Sequence, residues 1–268
     1  MQKDAIQQIQ KSAHIVEILS VVENATSYDP IVVLPNDFHV ENLEGFQKNR
    51  MNYRFNLKTD NLTDFIDYAQ EYDQIGAKCF INASRMQATI IFDLGTETNP
   101  LHQAHKALLV LEKTAAYAKL LDINGCGLSQ KEASEFIEDW TDSLFITDQS
   151  GASISNALAA KRLRDLTIEA AREVNSKVHD FGESMSAMER IEAKNQDTLP
   201  SDITFTCTPH AGLSEYEFTL RVGILTGSEK PKIVLRITQL EAKQEVITNE
   251  FKELLVAGFK DNELKTFI

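Results

Sequence analysis

The chain has 268 residues, enough for one large or two small domains, and 43% of them are hydrophobic, as in an ordinary folded protein. Asp and Glu number 40 against 27 Lys and Arg, so the net charge is −13 and the whole molecule repels phosphate backbones at long range. Nucleic acid is therefore not an expected partner unless a local basic surface exists.

Three cysteines, Cys79, Cys126 and Cys207, lie far apart with no CxxC and no Cys/His ligand spacing, which fits reduced thiols in a cytoplasmic protein. Lys3 and Asp4 are not followed by an apolar core of signal-peptide length. The longest wholly apolar run, residues 107–111, is far too short to span a bilayer, so no membrane association is expected.

Residues 1–30 open with an amphipathic helix built on Ile6, Ile9, Ala13 and Val16 and broadened by Ile15, Ile18, Leu19 and Val22. The run Ile31-Val32-Val33-Leu34 reads as a short buried strand, stopped by Pro35. Residues 52–93 read as a small β-α-β-β unit. Tyr53, Phe55 and Leu57 alternate as a strand, Leu62, Phe65, Ile66 and Ala69 follow helical spacing behind the cap Asn61, and two strands follow at 79–81 and 88–92. Asn99-Pro100 predicts a helix start, with Leu101, His105, Leu108, Leu111 and Ala115 on one face and Tyr117, Leu120 and Leu121 extending it. Ser129 and Glu132 form a capping box for a second helix that buries Ala133, Phe136, Ile137 and Trp140, giving a helical hairpin within a unit of residues 31–140.

Residues 141–153 read as a loop or hinge, and 154–194 as a largely helical region with sparse apolar anchors. The clearest signal lies in residues 201–258. Ile203, Phe205 and Cys207, then Tyr216, Phe218, Leu220, Val222 and Ile224, then Ile233, Leu235 and Ile237 alternate with polar residues, which makes an antiparallel meander with one buried face. Leu240, Ile247, Phe251 and Leu254 then share a helical stripe that ends near Gly258. The expected class is α+β: an antiparallel β-meander packed by helices, a small N-terminal β-α-β-β unit and a largely helical middle region.

No glycine-rich phosphate loop follows a strand, and no spacing marks a serine or cysteine nucleophile with its base, so no catalytic residue and no cofactor is expected. On the predicted helix His102 and His105 stand three apart with Asp93 just before them. Two imidazoles at that spacing meet one metal, with Asp93 or Glu97 as a third ligand. The pattern is not HExxH, and the competing reading packs His105 into the core. Residues 128–140 have the look of half a helix-turn-helix, but no Arg or Lys stands in residues 141–150 to read bases. Lys161, Arg162, Arg164 and Arg172 interleave with Asp165, Glu169 and Glu173, which reads as a self-paired helix face.

Several blocks together resemble the YfdQ-like family of phage and prophage proteins, a domain of unknown function. They are Cys79-Phe80-Ile81, Phe92-Asp93-Leu94-Gly95, Pro100 with His102, His105 and Ala107, Thr114-Ala115-Ala116-Tyr117, Leu128-Ser129-Gln130, Phe136-Ile137-Glu138-Asp139-Trp140, and the meander with its helix. The resemblance implies an origin in mobile elements, near genes of phage DNA metabolism. It implies no established activity and no catalytic residues.

The expected function is a non-enzymatic, self-associating accessory protein in the cytoplasm of a bacterial host, a homo-oligomer with a host or phage protein as a further partner. The alternatives are an acidic inhibitor of a host protein and a metal-dependent hydrolase at His102, His105 and Asp93. Single-strand binding needs a basic groove with stacking aromatics, and Tyr216 and Phe218 fall where the core is expected.

Overall fold

The computed structural model describes residues 48–49, 52–166, 199–225, 232–260 and 264–268. Contacts divide the chain into two units, Met1–Asn52 and Tyr53–Ile268. The N-terminal helix and the strand at 31–34 lie outside the described residues, as does the region 167–198.

Residues 53–268 have an α+β fold with two sheets. The first sheet begins with β1, Phe55–Thr59. Asn61 then starts α1, Leu62–Glu71, its side-chain Oδ1 accepting from Thr63 N at 2.9 Å and Asp64 N at 3.3 Å. Leu62, Phe65 and Ala69 are the buried residues of α1. β2, Lys78–Asn82, and β3, Gln87–Ile91, form a hairpin around the 3-10 turn Ala83–Arg85. The β-α-β-β order is thus present.

The next element corrects the helix expected from Pro100. Residues 105–110 are a strand, β4, His105–Val110, parallel to β1 and antiparallel to β3. His105, Ala107, Leu109 and Leu111 are buried, while Lys106, Leu108 and Val110 between them are half-buried, a period of two. In a run apolar at every position both periods fit, and only the sheet partners decide. Pro100 instead closes a tight loop, in which Gly95 bridges Pro100 and Thr96 N donates to Asn99 O at 3.0 Å. Gly95 sits at φ 75°, and a Cβ there would press on Asn99 O and lie 2.7 Å from Leu101 N. Backbone cannot yield as a side-chain tip does. Gly95→Ala is therefore expected to lower stability by about 1–3 kcal/mol in a denaturant titration.

The second sheet is larger than the expected three-strand meander. Its strands are β5, Gly127–Leu128; β6, Leu144–Thr147; β7, Ser153–Ile154; β8, Asp202–Cys207; β9, Tyr216–Leu225; and β10, Lys232–Ile237. The order is β5-β10-β9-β8-β6-β7 and every pairing is antiparallel. β6 and β7 fall in the stretch expected to be a loop. Leu144 and Ile146 face Phe205 and Ile203 across the register, so a three-residue apolar run finds a partner that is distant in sequence. Only the turn between β6 and β7 remains loop-like, with Asp148 Oδ1 accepting from Ser150 N and Ala152 N at 2.9 and 2.8 Å.

Helices cover the second sheet's inner face. α2, Ala115–Ile123, is capped by Thr114. α3, Gln130–Asp139, carries the expected capping box of Ser129 and Glu132, and α4, Asn156–Arg164, begins behind Ser155. Arg164 pairs with Glu138 at 2.7 Å. The long α5, Leu240–Gly258, buries Ile247, Phe251 and Leu255. Its end meets α1, where Gln70 Nε2 donates to Gly258 O at 3.0 Å and Phe65 and Phe259 lie 6.2 Å apart. The chain then returns to the first sheet as β11, Lys265–Phe267, parallel to β2, so that sheet runs β1-β4-β3-β2-β11. Both sheets share one apolar cluster, from Cys79 and Leu109 to Phe205 and Phe251. Among the described residues no helix is long and apolar enough to cross a membrane.

Candidate functional site

His102, His105 and Asp93 do not share a helix. His102 is exposed in the loop before β4, and Gln103 after it has φ 52°. His105 starts β4 and is buried, its ring stacked on Phe92 at 4.3 Å and met edge-on by Tyr53 at 4.6 Å and Tyr72 at 5.1 Å. Tyr68 Oη lies 2.8 Å from His105 Nε2. Asp93 points its carboxylate at backbone, accepting from Ala104 N at 2.8 Å and His105 N at 3.0 Å. Glu97 is exposed in the loop. Among the described residues no three His, Cys, Asp or Glu side chains gather to hold a metal ion. Burial holds the His105 imidazole below its usual value, against the opposing pull of the Asp93 charge, and burial together with Tyr53 pushes the Tyr68 phenol up. The cluster is a packed aromatic box around a neutral histidine, and Asp93 clasps the strand that begins there.

A second arrangement has no counterpart in the sequence reading. A groove of about 860 Å³ opens where α2 and α5 meet the first sheet, lined by Arg85, Lys113, Tyr117, His210, Gln244 and Thr248 among others. The turn before α2 builds it. Thr114 N donates to Pro209 O at 2.9 Å, and Thr114 Oγ1 donates to Thr208 O at 2.6 Å while accepting from Tyr117 N at 3.2 Å. One threonine thus caps the helix and ties it to the loop that carries His210.

His210 is buried, with Nδ1 2.9 Å from Glu112 O. Burial keeps the ring neutral, although the backbone carbonyls beside it favour the charged form. In the neutral ring Nδ1–H donates to that carbonyl, and Nε2 keeps its lone pair. Burial also pushes the Tyr117 phenol up, only partly offset by its hydrogen bond with Gln244. The groove therefore offers a neutral acceptor, a protonated donor and two cations, Arg85 and Lys113, beside Glu112 and Glu245. That set can hold a small polar molecule. Its members come from four separate segments, and no spacing in the sequence joins them. Burial pushes the Cys207 thiol up to about 11 and the Cys79 thiol up to about 12, so both stay protonated near neutral pH. All three cysteines are free.

A two-sheet α+β protein with one mixed-charge groove and no clustered metal ligands among its described residues is the class this geometry defines. The family model of an uncharacterized conserved protein, DUF2303, matches residues 1–268. The chain belongs to that family. No curated protein and no solved structure matches it.

Proposed function

We propose that the protein is a non-enzymatic, self-associating binding protein of phage or prophage origin, acting in the cytoplasm of a bacterial host in connection with phage DNA metabolism. The origin rests on the resemblance of the blocks around Phe92, Pro100 and Trp140 to the YfdQ-like family. The free thiols at Cys79, Cys126 and Cys207 fit a reducing compartment.

The observation that carries self-association is the edge of the first sheet. β1 stands at the end of the strand order and pairs only with β4 among the described residues. The outer backbone groups of such a strand are a template for another chain. Tyr53 and Phe55 at its start are 54% and 46% exposed, and Tyr53 is held by stacking on Tyr72 at 5.4 Å. A rigid aromatic pair beside an open edge is surface that a second copy of the chain would cover. Light scattering at micromolar concentration is expected to give a multiple of the chain mass, and Phe55→Asp to reduce it to a single chain with unchanged circular dichroism. A wild-type monomer under those conditions rejects the reading.

A further inference from the structure

The first sheet buries one face only. Cys79, Ile81, Ala88, Ile90, Ala107 and Leu109 point into the core. The positions between them form the outer face, and the pairing register aligns those positions in rows. One row runs Phe267, Phe80, Thr89, Leu108, Lys58 across all five strands. The next runs Lys265, Lys78, Ile91, Lys106, Asn56. Asn82, Gln87 and Val110 continue the face beyond.

The charge on this face opposes that of the molecule. The chain carries 40 acidic residues against 27 basic ones, yet no outward position of these five strands is Asp or Glu, and four are Lys. None of the four lysines is in an ion pair among the described residues. Phe80 and Phe267 are 41% and 38% exposed, with ring centroids 5.3 Å apart and planes within 15°. Lys265 Nζ lies 5.2 Å from the centroid of the Phe267 ring. The two rings stack on each other, with Lys265 over Phe267, and their remaining exposed surface lies at the end of a lysine-bearing sheet face.

We propose that the outer face of the first sheet binds single-stranded DNA, with bases stacking on Phe80 and Phe267 and phosphates meeting Lys58, Lys78, Lys106 and Lys265. Unpaired bases can splay out and stack on aromatic rings, whereas a duplex keeps its base faces covered within the stack. Thr89 faces Phe80 in the register, with Leu108 beyond it and Ile91 in the next row; of these three only Thr89 carries a group that a ribose 2′-hydroxyl could meet, so DNA is the expected ligand. The sheet spans five strands, about 19 Å at about 4.8 Å per gap, which suits a stretch of a few nucleotides. The net charge of −13 weakens the approach of DNA at long range. In about 0.1 M salt the Debye length is about 10 Å, so direct lysine–phosphate contacts outlast that repulsion.

The link to DNA metabolism in the proposed function agrees with this assignment, but the two tests are separate. The experiment is fluorescence anisotropy of a labelled oligothymidylate with the full-length protein, run beside duplex DNA, oligouridylate and vesicles of anionic lipid. Saturable binding is expected for oligothymidylate, weaker binding for the others. The logarithm of affinity is expected to fall against the logarithm of salt with a slope no steeper than about −3, from four phosphate contacts at about −0.7 each.

Phe80→Leu keeps an apolar side chain but removes the ring, and is expected to weaken binding on the order of ten-fold. Lys78→Gln with Lys106→Gln is expected to make the slope about half as steep. Absence of binding, equal binding of duplex, stronger binding of oligouridylate, retention by vesicles alone, or a Phe80→Leu protein with unchanged affinity each overturns the proposal. A monomer that binds oligothymidylate would sink self-association alone, and an oligomer that ignores it would sink this inference alone.

Discussion

Phe205→Ala is expected to lower the free energy of unfolding by about 3–5 kcal/mol, the range for emptying a phenylalanine site in a closed core. Phe205 is fully buried in the middle of β8, opposite Phe218 on β9 and Leu144 on β6. From above, α3 lays Phe136 on it at 5.9 Å and Trp140 at 5.6 Å. The side chain therefore joins three strands to the helix that covers them, and aromatic pairs of this kind add about 0.5–1.5 kcal/mol each beyond the area they bury. A strand-bound site has little freedom to collapse around the void, which keeps the cost near the upper end. Phe205→Leu is expected to cost distinctly less. A urea titration followed by the fluorescence of Trp140, the single tryptophan, reads the effect at the site itself. A loss below about 1 kcal/mol for the alanine variant would show that α3 does not depend on this contact.

The same residue shows why the meander was legible. Phe205 stands between Thr204 and Thr206, and on β9 its partner Phe218 and the next inward residue Leu220 stand among Glu217, Thr219 and Arg221. Polar residues at every second position leave only the two-residue period. β4 has no such punctuation. His105 to Leu111 is apolar at every position but Lys106, after His105, and the run includes three leucines, which favour helix intrinsically. The strand exists because β1 and β3 flank it, which is information at a distance. β6 is four residues set among turn formers, and β11 is three. Their partners, β8 and β2, lie 55 and more residues away in the chain.

The sites follow the same logic. The pairing of His102 with His105 depended on a helix, and once 105 starts a strand the two rings part. The groove at His210 and the lysines of the outer face are assembled by packing and register. Lys58, Lys78, Lys106 and Lys265 are unremarkable singly, and their meeting on one face required knowing that β11 adds in parallel beside β2.

Acidification from pH about 7.5 to about 5.5 is expected to destabilise the protein through His105 and His210. Both rings are buried, and burial lowers both from the ordinary value of 6.5. Below pH 6.5 the unfolded chain takes up protons that the folded chain refuses, so the unfolded state binds more protons and stability rises with pH. The contribution is fully present above 6.5 and is lost as pH falls toward the lowered folded values. Each such group gives a slope of at most about 1.36 kcal/mol per pH unit, and the pair about twice that.

Asp93 works against the effect at His105 by favouring the charged ring, and the Glu112 and Leu111 carbonyls do the same at His210, where Lys113 adds a smaller push the other way. Urea midpoints across this range are expected to show a shallower slope in His210→Asn, whose amide can still donate to the Glu112 carbonyl, and in His105→Gln, whose amide can still meet Tyr68. If the slope survives in the double variant of His105 and His210, the titrating groups lie elsewhere in the chain and neither ring is held neutral by its burial.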